Sequence, residues 1–433
     1  MMAETSAPEH KLQEVFDSLT GNHSKASLQA RKNAFEYLQE NGLPNSRDEE
    51  YKYTPLTKLI EKQFDLEEGL GHATPSDLDP TPHFIPDAVG DRVVFINGQY
   101  ASQYSQLSNG LEITILSEGG NLTDLLSEHY GTHPFITQDS WAALNASFSQ
   151  DGLIIKAGTD RKAGTPLYIY HIADSSQKQS VAQVHSLVVA EPSANISLVE
   201  VFHSQGNNPS FVNTATEIIL KKNSRVEHYK VGLENENTIH AGHTMVHQSR
   251  DSHYHDVTIN LTGGTVRNNL NIVLDAENCE AHMIGLYLPT GKQHVDNHTV
   301  VDHKKPHSFS NELYKGVMAD RSNAVFNGKI FVRQDAQKTN AFQSNKNLLL
   351  SNDATINTKP QLEIWADDVK CSHGATTGQL DEEQVFYLMS RGLGAEQARA
   401  MLLGAFASEV TEQINIEPLR KYIDSIVGER LNA

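Results

Sequence analysis

Cys371 and His373 stand two positions apart in Val369-Lys-Cys-Ser-His-Gly374, and both are ligand types for soft metals. The run before them, Lys359 to Val369, alternates as a strand does. In an extended chain residues i and i+2 point to the same face. If the strand continues, the thiol and the imidazole therefore project together. An imidazole beside a thiol can lower its pKa or join it on a soft metal.

The other residues able to do chemistry are histidines. The chain has 21, and ten fall between His240 and His307. His294 with His298, and His303 with His307, are i,i+4 pairs, a spacing that shares a metal on a helix. Here the surrounding pattern is strand and turn, so the spacing loses that meaning. His253 and His255 could share a strand face, as in cupin-type sites. An alternative reading is therefore a β-helix or cupin-like metal-dependent hydrolase or lyase using the His243–His307 cluster, with His294, His298 and His303 as secondary ligand candidates. No nucleophile elbow, P-loop, HExxH or zinc-finger spacing is present, and no independent enzyme is expected.

The elements that must position these groups follow from composition and pattern. At 433 residues the chain can bury a large core. A net charge of -19 argues against nucleic acid and against anionic membrane surfaces. No apolar run reaches membrane-span length, and the polar start reads as no signal peptide. The only cysteines are Cys279 and Cys371, which points to a reduced, cytoplasmic setting and is too few for the four thiolates of an iron–sulfur cluster.

Residues to about 70 read as helical, with Leu28, Phe35 and Leu38 on one face and Gly42 and Pro44 as stops. Pro75, Pro80, Pro82 and Pro86 mark a linker. From about residue 90 short apolar runs alternate with small polar clusters at 191–195, 221–225, 275–279, 319–323 and 351–355. Their starts lie 30, 54, 44 and 32 residues apart. So many strands exceed a usual sandwich and predict a β-solenoid. Helices return at the end. Asp381 and Gln384 form a capping-box-like pair, and Gly392 sits at a helix C′ position. A second helix from about Ala395 carries Ala398, Met401, Leu402, Ala405 and Phe406 on one side. Pro418 opens a third. The expected fold class is mainly β: a β-solenoid core at 89–378, between a helical unit with its linker at 1–88 and a helical unit at 379–433.

Ala366-Asp-Asp-Val-Lys-Cys-Ser-His-Gly-Ala-Thr376, followed by Leu380-Asp-Glu-Glu-Gln-Val-Phe-Tyr-Leu-Met-Ser-Arg-Gly392, closely resembles the SufB/SufD family of scaffold subunits for iron–sulfur cluster assembly. The likeness continues through Ala398 to Val410, and echoes in Ala143 to Leu153. Gly42-Leu-Pro44 with Glu50-Tyr-Lys-Tyr-Thr54 resembles the family's entry motif, although a Trp is usual where Tyr51 stands. The paralogue balance leans to the SufD side: cysteine-rich motifs are missing, and Gly374 stands where SufB-like sequences tend to have Glu. The resemblance implies a right-handed parallel β-helix and a non-catalytic scaffold. It implies a heterodimer with a SufB-like paralogue, carried by a SufC-like ATPase, and a possible homodimer when the chain is alone. His373, with Cys371, would sit in a turn at the shared interface as cluster-assembly ligand, the partner giving the principal cysteine. The nascent cluster would be transient and shared, none being bound by this chain alone. The C-terminal helices would dock the ATPase, through Asp381, Gln384, Phe386, Tyr387, Arg391, Met401 and Phe406.

Overall fold

The strand-period stretch of the sequence coils into a solenoid of about seven turns, each built from two strands. The structure, a computed structural model, describes residues 7–19, 25–71, 74–108, 110–118, 125, 128–149, 151–162 and 164–432. Sheet A stacks β1 (Asp91–Ile96), β5 (Leu167–Asp174), β7 (Asn195–Gln205), β9 (Arg225–Leu233), β11 (His253–Asn260), β13 (Glu280–Tyr287), β15 (Phe309–Met318), β17 (Asn340–Leu349) and β19 (Lys370–Gly378). Sheet B stacks β4 (Leu153–Ala157), β6 (Ser180–Ala190), β8 (Ser210–Leu220), β10 (Thr238–Gln248), β12 (Thr265–Leu274), β14 (His294–His303), β16 (Asn323–Val332) and β18 (Thr355–Ile364). These pairings are parallel and in register. Two antiparallel strands, β2 (Gln99–Tyr100) beside β1 and β3 (Glu112–Ile115) beside β4, close the N-terminal end.

The irregular spacing of the polar clusters now has a cause. From β7 to β19, sheet A strands start every 27 to 31 residues. Each coil has two corners, and the clusters in the sequence mix both. Clusters at one corner differ by whole coils, and a switch of corner adds a half coil. At one corner Ser193, Asn223, Asp251, Asn278, His307 and Lys338 all adopt left-handed backbone, φ 58° to 63°. Short polar side chains tolerate that region best. The stack is tied between coils, for example His307 N to Gln337 O at 2.9 Å and Lys338 N to Asp368 O at 2.7 Å. His307 is therefore a turn residue.

Alternate residues fill the lumen with Ile155, Leu198, Val246, Ile272, Val301 and Ile330, and the lining continues to Cys371. The outer face of sheet B is covered by α1 (Ala7–Leu19), α2 (Lys25–Asn41), α3 (Leu56–Gln63), α4 (Leu66–Gly71) and α5 (Ser140–Phe148). Helix α5 is buried at all nine positions and was not legible as an element. A helix apolar all round shows no 3.6-residue contrast. Trp141 packs edge-on to Phe211, and Asn145 Nδ2 donates to the carbonyls of Val184 and Asn213 at 3.0 and 2.8 Å.

The outer face of sheet A is covered by α7 (Ala395–Thr411) and α8 (Glu417–Asn432), preceded by α6 (Glu382–Ser390). The buried stripe of α7 is Leu403, Ala407 and Val410, at i, i+4 and i+7. Of the expected stripe Ala398 is buried and Phe406 packs at the edge of the core, whereas Met401 and Ala405 face away, a correction of about one residue of helix rotation. Burying Leu403 and Val410 contributes about 1.5–3 kcal/mol each, which helps hold the helix on the sheet.

Candidate functional site

β19 is the last strand of sheet A, and among the described residues β17 is its only neighbour in that sheet. Cys371 and His373 lie within this strand, not in a turn as the resemblance implied. The strand extends because its residues pair Cys371↔Ala341 and His373↔Gln343. Both partners are buried lumen positions, and Cys371 packs on the lumen core. Residue His373 shares that inward face by period two, yet it is exposed because no further coil covers it. The shared face expected from the spacing is present. Burial raises the Cys371 thiol, with a backbone hydrogen bond to Ala341 opposing weakly, so it is held as thiol and not activated.

The edge beyond β19 is open. Lys370 N donates to Thr339 O at 2.9 Å. By the alternation of a parallel ladder, the N–H and C=O groups of Cys371, His373, Ala375 and Thr377 point to the free side. Gly374 adds clearance, since a Cβ there would meet nothing within 4 Å. No sterics demand glycine at that position; its effect is to leave the surface beside His373 bare.

The other histidines are scattered by the same parity. His294 and His298 face outward on β14, whereas His303 faces the lumen. His294 Nε2 lies 2.7 Å from Thr54 Oγ1, and His298 Nε2 lies 2.9 Å from Asp296 Oδ1. His303 Nε2 lies 2.9 Å from Ser310 Oγ, and burial lowers its pKa to about 3. His253 and His255 do share the outer face of β11, but His253 pairs with Glu280 at 2.9 Å and His255 meets Gln413 O at 3.2 Å. Among the described residues no group of three or more His, Cys, Asp or Glu is arranged to hold a metal ion. Cys279 is a corner thiol, pushed up to about 11 by burial.

Two family models cover the chain, one for the SufBD protein N-terminal region over residues 10–169 and one for the SufBD core domain of the SUF iron–sulfur cluster assembly system over residues 171–406. The chain belongs to the SufBD family. Escherichia coli iron–sulfur cluster assembly protein SufD is 33% identical over 94% of both chains. An iron–sulfur cluster assembly SufBD family protein of Synechocystis is 31% identical over 95% of this chain and 93% of its own. A chloroplastic protein of Arabidopsis thaliana, ABCI7, is 30% identical over 80% of this chain and 69% of its own. The SufB/SufD assignment, with SufD the nearer type, and its association with iron–sulfur cluster assembly are thereby established for this chain.

The SufBD entry motif turns out to be a strap across sheet B. Glu50 pairs with Lys329 and with His298 Nδ1 at 3.3 Å, while Glu49 pairs with Lys359. Tyr51 is bonded to Asp139 and stacks under Arg267, whose guanidinium carbon lies 4.0 Å from the ring. Arg267 also holds Asp296 at 2.7 Å and Glu50 O at 2.8 Å. The hydrogen bond from His298 leads in lowering Glu50 to about 2, against the cost of its burial. Sequence reasoning missed Arg267, Asp296 and Lys329 because the strap residues they meet, Glu50, Tyr51 and Thr54, lie more than 200 residues away, and Arg267 and Asp296 meet each other only across neighbouring coils.

In the C-terminal SufBD helices, Asp381 caps α6 by accepting from Glu383 N at 2.9 Å. Gly392 follows with φ 98°, as a C′ residue should. Phe386 is 72% exposed and Met401 59%, and Tyr387 and Met389 are exposed beside them. Gln384 is exposed as well, and Arg391 reaches Tyr387 Oη at 3.1 Å. Phe406 instead lies half-buried under Lys315, whose Nζ sits 3.9 Å from the ring centre. Among the described residues no helix is long and apolar enough to cross a membrane.

Proposed function

We propose that this SufBD chain is a non-catalytic scaffold subunit that pairs its open solenoid end with a SufB-like paralogue. His373, assisted by Cys371, faces a nascent iron–sulfur cluster that is the cargo of the shared interface. The observation that carries this reading is the exposed His373 on an edge strand that is paired on one side only among the described residues. A free strand edge seeks a second sheet, and a lone imidazole with one inert thiol cannot hold a cluster without ligands from elsewhere. The helices at 379–433 are the docking unit for a SufC-like ATPase, through the exposed Phe386, Tyr387 and Met401, with Gln384 and Arg391 at the rim and Asp381 and Phe406 holding the helices in place. The units at 1–88 and 89–378 are the packing arm with its linker and the solenoid. The chain works in the cytoplasm, and forms homodimers through the same edge when no paralogue is present.

The test is anaerobic reconstitution of the co-expressed complex, with His373→Ala and Cys371→Ser beside wild type. A His373→Ala complex that assembles but loses its cluster supports the shared interface. Full cluster content in both variants would confine the chemistry to the partner.

A further inference from the structure

Below His373 the lumen holds a carboxyl that nothing in the core requires. The ladder runs Glu312↔Gln343↔His373 across β15, β17 and β19, all at inward positions. Glu312 is 1% exposed and Gln343 3%. Gln343 Nε2 donates to Glu312 Oε2 at 2.7 Å. The amide is also wedged against the opposite sheet, where a Cβ on Gly328 would come 2.1 Å from Gln343 Nε2. That glycine is needed for this side chain to fit, and the fit keeps the amide from turning.

With the nitrogen committed downward to Glu312, the amide oxygen is left for the rung above. Gln343 Oε1 is buried and among the described residues has no hydrogen-bond partner, His373 included. A buried carbonyl oxygen without a donor costs about 1–3 kcal/mol, so a donor is expected there. The next inward side chain is His373, one strand spacing of about 4.8 Å away. An amide oxygen only accepts, so a ring nitrogen of His373 turned onto it has to carry the hydrogen. The opposite nitrogen then keeps its lone pair, free for a ligand at the exposed face of β19.

We propose that Gln343, anchored by Glu312, sets the tautomer of His373 and so presents a bare outer nitrogen to a soft metal at the interface. Gln343 and Glu312 are positioning residues; they touch neither cluster nor partner. Metal-ligating histidines gain basicity and a fixed orientation from such a second hydrogen bond, whose loss lowers metal affinity about 10–100-fold. The inference rests on the reading of His373 as a cluster ligand for its use, but not for its test.

The deciding measurement is the ring 15N spectrum of His373 in the full chain at alkaline pH, assigned with His373→Asn. Wild type should show one neutral tautomer. Gln343→Leu should show a mixture, and so should Glu312→Leu, which frees the amide. Glu312→Gln should keep the single tautomer, because an amide oxygen can accept from Gln343 as the carboxyl does. A mixture in wild type, or one unchanged tautomer in Gln343→Leu, overturns the proposal. In the complex, Gln343→Leu should weaken iron retention about 10–100-fold without loss of assembly. Full cluster content in His373→Ala would instead overturn the interface reading, while the ring spectrum still decides this one.

Discussion

The two ends of the solenoid are built from the same strand pairs but finished differently. At the N-terminal end β2 and β3 turn antiparallel and cap the sheets, with Tyr100, Leu111 and Ile113 packed over the lumen. Asp151, 1% exposed, staples that cap. It accepts from Tyr100 N at 3.1 Å, Ser117 N at 3.1 Å, Ser117 Oγ at 2.7 Å and Gly152 N at 2.9 Å. At the C-terminal end β19 is exposed at most of its residues, and among the described residues no further strand caps it. Open strand edges invite unwanted pairing, and most proteins cover them. The bare end is the one that the proposed pairing with a SufB-like partner would use.

The comparison can be broken most strongly at the closed end. Asp151→Ala strands one buried and three part-buried donors, and should cost about 3 kcal/mol in urea unfolding. A loss below about 1 kcal/mol would mean that the staple is not what closes that end.

Toward the open end, Glu312 supplies a pH test. Burial pushes its carboxyl from 4.5 up to about 7. A carboxyl raised on folding favours the native state while protonated. Its contribution is thus full below pH 4.5 and lost as pH rises through about 7. Wild type should therefore lose, relative to Glu312→Gln, on the order of 3 kcal/mol between about pH 5 and about pH 8.5. Parallel stability–pH curves for the two proteins would show that Glu312 is solvated.

Ala375→Pro sharpens the contrast further, since it deletes an N–H that faces the free edge and leaves the β17 ladder alone. The isolated chain should lose less than about 1 kcal/mol, while co-purification with the SufB-like partner is lost. Normal pairing would move the interface elsewhere. The smallest effect is expected for Phe386→Ala with Met401→Ala. Stability should stay within about 0.5 kcal/mol, because both side chains are exposed, and only retention of the ATPase in a pull-down should fall.

Much of this architecture was legible before folding. Strand periodicity, polar corners and capped C-terminal helices are local signals, and each is written within about ten residues. Cys371 and His373 could be placed on one face because period two is local as well. The parity that separates His303 from His298 is equally local, once β14 is known to be a strand. What stayed hidden depends on contacts between distant segments. Glu50 meets Lys329 and His298 across the whole solenoid, and Gln343 finds Glu312 one coil below it at a separation of 31 residues. Helix α5 was hidden for the opposite reason, being buried on every side.

The sequence by itself determined the β-solenoid, the helical ends, the family and the pairing of one thiol with one imidazole. All follow from residue order, since periodicity and motifs are properties of neighbours along the chain. The register of the coils decided the rest. It set Gln343 beneath His373, made Cys371 a packed thiol, and left one end of the stack without a cap. Register is the sum of many weak side-chain fits across strands about 4.8 Å apart, and no short stretch of sequence contains it.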